Sequence, residues 1–220
     1  SAICVLFALS PLMAQNLQLH YDFGTANDGA ANADRNYFTG TFEIFKPDKA
    51  GSLFMFMDVD FNKDDKGASL AYFEIARKFT LHKASGFGVQ IEYNDGTPDY
   101  INSAWLAGVC YPLNIAGFEL NTSLLYRRNK NATGPDFQIT TVWFQPLFQG
   151  KVLFSGFIDF WRQDDFTGDG STFVLLSEPQ LWFVVNDNFS IGTEVELSRN
   201  FFTFDGDLEA MPTAAIKLNL

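Results

Sequence analysis

Between Gly51 and Asn62 the sequence reads GSLFMFMDVDFN. A strand points successive side chains to opposite faces, so residues two apart share a face. Leu53, Met55, Met57, Val59 and Phe61 fall on one face, and Phe54, Phe56, Asp58 and Asp60 on the other. One face is wholly apolar; the other is aromatic and acidic. A carboxylate buried without a partner costs several kcal/mol, so a dry core would reject both acids. A strand of this kind needs an apolar environment on one side and water on the other.

The pattern recurs. Segments of similar length run over residues 16 to 24, 35 to 46, 52 to 62, 68 to 81, 86 to 93, 101 to 112, 118 to 127, 137 to 148, 151 to 162, 172 to 185, 189 to 199 and 211 to 220, bounded by Gly, Asn, Asp or Pro. No window after Asn16 is apolar for long enough to span a bilayer as a helix. The expected fold is therefore all-β: a transmembrane antiparallel up-and-down β-barrel of about twelve strands, the even count of bacterial outer-membrane barrels. Connections after even segments are tight, as in KPDKAG, HKAS and NDN, while those after odd segments are long and polar, as in TANDGAANAD and RNKNATGPD. Sorting of this kind distinguishes a periplasmic from an extracellular rim.

The apolar faces include Phe38, Phe42 and Ile44; Phe73, Ile75 and Phe79; Phe118, Leu120, Leu124 and Tyr126; Phe154, Ile158 and Phe160; and Ile191, Val195 and Leu197. Opposite them stand Glu43, Glu74, Gln90, Glu92, Glu119, Asn121, Ser123, Asp159, Glu194 and Glu196. A wet interior accommodates these acids together, where a dry core would need a separate partner for each. Segments six, eight and ten are apolar on both faces, and alternation leaves their facing open. Pro179 removes a ladder hydrogen bond from segment ten, which predicts a bulge or strand break there. The C-terminal run PTAAIKLNL alternates and ends on Leu220, suiting a final strand read by barrel-insertion machinery.

The net charge of −11, with 15 Lys and Arg in all, argues against a nucleic-acid partner. RRNK, Arg127 to Lys130, is the only local basic cluster and reads as a solvated loop. Residues 1–15 read as the remnant of a secretory signal peptide cleaved around Ala14 to Asn16, leaving 16–220 as a single barrel domain in the bacterial outer membrane. Cys110 is then the sole cysteine, and no intramolecular disulfide is expected.

The stretches NLQLHYDFG from Asn16, RNYFTGTFEIFKP from Arg35 and GSLFMFMDVDFN from Gly51 together resemble the start of the Tsx-like family of nucleoside-specific outer-membrane channels, in particular its short divergent members. The resemblance implies a monomeric twelve-stranded barrel for passive nucleoside diffusion. The chemistry suits such a solute, because bases stack on aromatic rings and ribose hydroxyls donate to carboxylates and amides. The alternation alone supplies the lumen candidates. Tyr37, Phe54, Phe56, Tyr72, Trp161 and Trp182 serve stacking, and Glu43, Asp58, Asp60, Glu74, Gln90, Glu92, Asp159, Glu194 and Glu196 serve hydrogen bonding. The same acids could instead form a network with Arg77, Lys78, Arg127, Arg162 and Lys217.

Two other readings compete. A small outer-membrane enzyme acting on lipid, of deacylase or acyltransferase type, needs a base beside a nucleophile. The two histidines are His82, in a predicted turn, and His20, on the inner set with Gln18 and Asp22; neither HExxH nor GxSxG occurs. A lipocalin-like secreted binding protein would have an apolar interior and a polar exterior, the reverse of the pattern. No cofactor or metal is expected: DFTGDG and NKDDKG resemble calcium loops, but Leu176 and Phe73 stand where a bidentate Glu is required.

Overall fold

The computed structural model describes residues 14–24, 35–61, 67–164, 170–201 and 206–220. The signal-like residues 1–13, and most of the two calcium-like runs, lie outside these. The alternating segments form thirteen strands: β1 (Ala14–Asp22), β2 (Phe38–Asp48), β3 (Gly51–Phe61), β4 (Leu70–His82), β5 (Phe87–Thr97), β6 (Ala104–Ile115), β7 (Phe118–Asn129), β8 (Asp136–Leu147), β9 (Val152–Asp164), β10 (Ser171–Ser177), β11 (Gln180–Asn186), β12 (Phe189–Arg199) and β13 (Leu208–Asn219). All belong to one antiparallel sheet that closes where β1 pairs with β13.

β10 and β11 are two halves of one strand. Ser177 pairs with Ile158 and Gln180 with Ser155, so the register against β9 is the same on both sides of Glu178 and Pro179, and Ser177–Leu197 and Gln180–Glu194 keep a single register against β12. The fold is thus a closed twelve-stranded barrel with its tenth strand interrupted at the proline, as Pro179 predicts. Hydrocarbon offers backbone groups no partner, so the interruption has to be satisfied internally. The Glu178 amide donates to Phe157 O at 3.1 Å, and Pro179 O accepts from Val195 N at 3.1 Å. Gly156 lies opposite, with φ +147; a Cβ there would stand 2.4 Å from Glu178 O and 2.8 Å from the Trp143 ring. Only glycine lets the bent strand approach this closely.

The molecule is inside out. Among the described residues buried polar side chains outnumber buried apolar ones, with Asn16, Gln18, His20, Asp22, Glu92, Asn94, Asp136 and Gln138 all inside, while Leu19, Phe38, Met57, Ile91, Val109, Leu124, Ile139, Phe160 and Ile216 face outward. A protein folding in water buries its apolar set instead. An apolar groove of about 620 Å³ on this outer face, lined by Leu19, Phe38, Phe183, Ile191, Ala214 and Ile216, belongs to the same hydrocarbon-facing surface and not to the lumen.

Some details depart from the sequence expectation. β5 runs to Thr97, through Asn94, Asp95 and Gly96, because β4 supplies partners as far as Ala71. β13 begins at Leu208, and β1 begins at Ala14. Pairing overrides local turn propensity in each case.

Candidate functional site

Acids converge on the barrel interior because they occupy inward positions on several strands. Glu43 of β2 is opposite Phe56 of β3, and Phe56 is opposite Glu74 of β4. Asp58 is opposite Tyr72, and Gln180 is opposite Glu194. The charges of Glu194, Asp60 and Glu43 reach Asp58; those of Glu92 and Asp159 reach Glu74; and those of Glu194, Glu196, Asp58 and Asp159 all reach Glu178. Glu178, on the interrupted strand, completes the wall between Asp159 and Glu194.

Neutral groups hold most of these carboxylates. Thr41 Oγ1 donates to Asp58 at 2.5 Å and Thr39 Oγ1 to Asp60 at 2.6 Å. Asn16 Nδ2 donates to Glu43 at 3.0 Å, Gln90 Nε2 to Glu92 at 2.9 Å and Gln180 Nε2 to Glu194 at 2.6 Å. Asn94 Nδ2 bridges Glu74 and Glu92 at 3.5 and 3.4 Å. Amides and hydroxyls orient a carboxylate without cancelling its charge. Arg35, Arg127 and Lys217 act on parts of the set, leaving acids in clear excess.

The interior is unevenly filled. Leu106, Leu125, Gln138, Val174, Trp182 and Met211 are fully buried, and Ala104, Leu106 and Leu125 form a dry cluster between β6 and β7. By contrast Phe56, Asp58, Tyr72, Glu74, Asp159 and Glu178 point inward yet are only half-buried. Glu194 retains 17 % of its side-chain surface and Glu196 12 %. The interior is thus less tightly filled beside the β2–β4 and β10–β12 walls.

Aromatic rings line the same space. Phe54 and Phe56 have centroids 5.8 Å apart, and Phe56 and Tyr72 5.6 Å. Trp161 and Trp182 also point inward but offer a solute little: Trp182 is fully buried with Lys217 Nζ 3.9 Å over its ring, and Trp161 has Arg127 at 5.0 Å and Phe201 edge-on. These two pack and anchor cations. Tyr37 sits before β2 at the long-loop mouth, under the Arg35 guanidinium at 5.8 Å. Arg35 in turn bonds Asp22 at 2.6 Å and Glu196 at 3.4 Å, tying the chain that enters β2 across to β12. Burial raises the Tyr37 hydroxyl above its ordinary pKa, so it remains a donor at this mouth.

The network expected from the sequence forms only in part. Arg127 and Lys217 are inside, Arg127 bonding Gln138 and Asn129. Arg77 instead has outward parity and forks onto Asp48 at the tight-turn end (2.6 and 3.0 Å). Arg162 is also outward, bonding Asp136 and Ser171: residue 77 is an odd member of β4, whose inward acid Glu74 is even, and residue 162 is an even member of β9, whose inward acid Asp159 is odd. Glu178 is an interior acid that sequence reasoning missed, as it missed Asp136. The signal was present: even positions of segment ten carry Glu178 and Gln180, and odd positions carry no charge.

His20 bonds Gln18 Oε1 at 2.9 Å and Thr213 Oγ1 at 3.1 Å, inside the barrel. His82 Nδ1 takes the Ser85 hydroxyl at 2.8 Å and the Ser85 amide at 3.2 Å within one turn, a local cap.

The fold corresponds to that of known outer-membrane barrels. A KdgM porin superposes with a TM-score of 0.51 at 9% identity, covering 94% of this chain and 99% of that one. The same porin solved with disordered oligogalacturonate gives 0.50 at 8% over the same shares. Outer membrane phospholipase A from Escherichia coli gives 0.55 at 12%, covering 97% and 99%. At these identities the likeness is one of fold. Among curated protein sequences nothing matches. The model of a domain of unknown function, DUF5020, matches residues 14–220, and the chain belongs to that family.

Proposed function

We propose that this member of the DUF5020 family is a monomeric, non-enzymatic channel of the bacterial outer membrane. On this reading it passes small neutral or cationic polar solutes by diffusion, nucleosides foremost. The observation that carries this reading is the set of inward carboxylates, Asp58, Glu74, Asp159, Glu178 and Glu194, that are left half-buried in a barrel whose outer face is apolar. A packed structural barrel has no use for so many inward acids with so few cations beside them. The long-loop end would face outward from the cell, lipid would cover the outer face, and insertion machinery would read the C-terminal strand.

The aromatic step formed by Phe54, Phe56 and Tyr72 beside Glu43, Asp58 and Glu74 supports the nucleoside assignment, offering stacking and hydroxyl acceptors at one height. The porin whose structure contains oligogalacturonate handles a polyanion; an acid-lined lumen disfavours such a solute by like-charge repulsion. Neither histidine favours a lipid-acting reading: His20 bonds Gln18 and Thr213 inside the barrel, and His82 bonds Ser85 within one turn.

In liposomes, adenosine or thymidine should enter faster than sugars of equal size, and adenosine monophosphate more slowly. Stacking contributes about 1 to 3 kcal/mol per base, so Phe56→Ala should erase roughly a fivefold or larger nucleoside advantage while leaving sugar flux unchanged. Equal rates for nucleosides and sugars through the wild type would reduce the protein to a general pore.

A further inference from the structure

A second recess lies away from the lumen, at the long-loop end of β5, β6 and β7. It has a volume of about 340 Å³ and is lined by Asp95, Asp99, Ile101, Asn102, Ser103, Lys130 and Asn131. Its position follows from the outward face of these strands. That face runs from Ile91, Val109 and Leu124 through Tyr93, Trp105 and Tyr126 to Asp95, Ser103 and Arg128. Hydrocarbon contacts give way to aromatic rings and then to polar groups, the order met on crossing a bilayer interface. Tyr93 packs on Trp105 at 4.7 Å and on Phe73 at 5.7 Å, and the recess opens directly above this belt.

From this chemistry we propose that the recess binds a sugar, presented at headgroup level by an outer-leaflet glycolipid. Sugar hydroxyls donate and accept together, and the lining offers both functions: carboxylate acceptors on Asp95 and Asp99, donors on Lys130 and Ser103, and both on Asn102 and Asn131. The recess is held open from behind. Tyr93 Oη donates to Asp95 Oδ2 at 2.7 Å, Gly96 N donates to Asp95 Oδ1 at 2.9 Å, Lys130 N donates to Ser103 O at 2.8 Å, and Asn131 Nδ2 donates to Asn102 Oδ1 at 3.2 Å. A metal ion fits poorly, because the Lys130 charge acts on Asp95 and would repel it. A bare phosphate would meet two acids. A neutral polyol meets neither objection. The RRNK run thereby acquires a role beyond solvation: Arg128 stands cross-strand from Trp105 and bonds Gly134 O at 2.7 Å, and Lys130 enters the recess.

The glycolipid source rests on the outer-membrane reading; the recess does not. The test uses full-length protein refolded in lipid-free detergent, with purified lipopolysaccharide and its deacylated core oligosaccharide as separate probes. Asp99 and Lys130 are exposed, so an Asp99→Ala/Lys130→Ala variant should fold as the wild type does, checked by heat-modifiable migration on a gel. Wild type should bind lipopolysaccharide at least tenfold more tightly than the variant. The same dependence with the core oligosaccharide would make the ligand a free or lipid-borne sugar; dependence with lipopolysaccharide alone would assign it to the headgroup. Equal binding of both probes by wild type and variant overturns the proposal. Nucleoside flux measured on the same preparations reports the channel independently, and the variant should leave it unchanged.

Discussion

In a planar bilayer under a salt gradient, the wild-type barrel should pass cations several-fold better than anions, and an Asp58→Asn/Glu74→Gln/Glu194→Gln variant should bring that ratio close to one. At the dielectric of water, a carboxylate 5 Å from a passing anion repels it by about 0.8 kcal/mol, roughly a fourfold discrimination, and the effect grows where walls exclude solvent. The three substituted acids occupy β3, β4 and β12, so the change samples the wall around its circumference. Their partners Thr41, Asn94 and Gln180 can hydrogen-bond an amide as well as a carboxylate, so structure should be retained while charge is lost. Reversal potential is the readout. A wild type without ionic preference would sink the acid-lined pathway, and one without conductance would sink the channel.

The outer face yields the second large effect. Leu124 is 54 % exposed, and in a water-soluble protein Leu→Arg at such a position changes stability by within about 0.5 kcal/mol. On a lipid-facing strand near the midplane the same change costs about 2–4 kcal/mol. Leu124→Arg, unfolded by denaturant from phospholipid vesicles, should therefore lose stability on that scale, and a shift near zero would return the soluble, lipocalin-like reading to contention. Leu125, its neighbour, provides the complementary measurement. It is fully buried against Leu106 and Ala104, so Leu125→Ala should cost about 2–5 kcal/mol through loss of interior packing.

Those adjacent leucines also show where the sequence was informative. On β3, alternation placed Asp58 and Asp60 on the inner face because the outer face had no polar residue to confuse the parity. On β6 it could not decide, since Leu106 and Cys110 are as apolar as Val109 and Tyr111. The structure explains the ambiguity: the lumen is dry at the β6–β7 wall, and apolar residues belong on both faces there. Polarity reports facing only where one face is wet. Glu178 was obscured by its neighbour Pro179, whose effect on the ladder hid an unbroken register. Trp161 and Trp182 point inward, but single-strand parity does not reveal that cations cover their rings. Arg77 and Arg162 were grouped with the lumen acids by charge alone, against their parity.

The inner face of β1 carries Asn16, Gln18, His20 and Asp22 in succession, joined side chain to side chain from Gln18 to Asn16 at 2.8 Å and from His20 to Gln18 at 2.9 Å, and across to β13 through Thr213. β1 and β13 meet only when the circle is completed, so this file of polar groups acts as a proofreading edge for assembly. If the last strand docked one residue out of register and β1 rotated to match, all four would turn toward hydrocarbon while Leu17, Leu19 and Tyr21 turned inward. Each such polar side chain would then lack a partner in lipid, at a cost of several kcal/mol. The barrel is thus barred from sealing one residue out of register, and fidelity of closure is written into the inner face of β1.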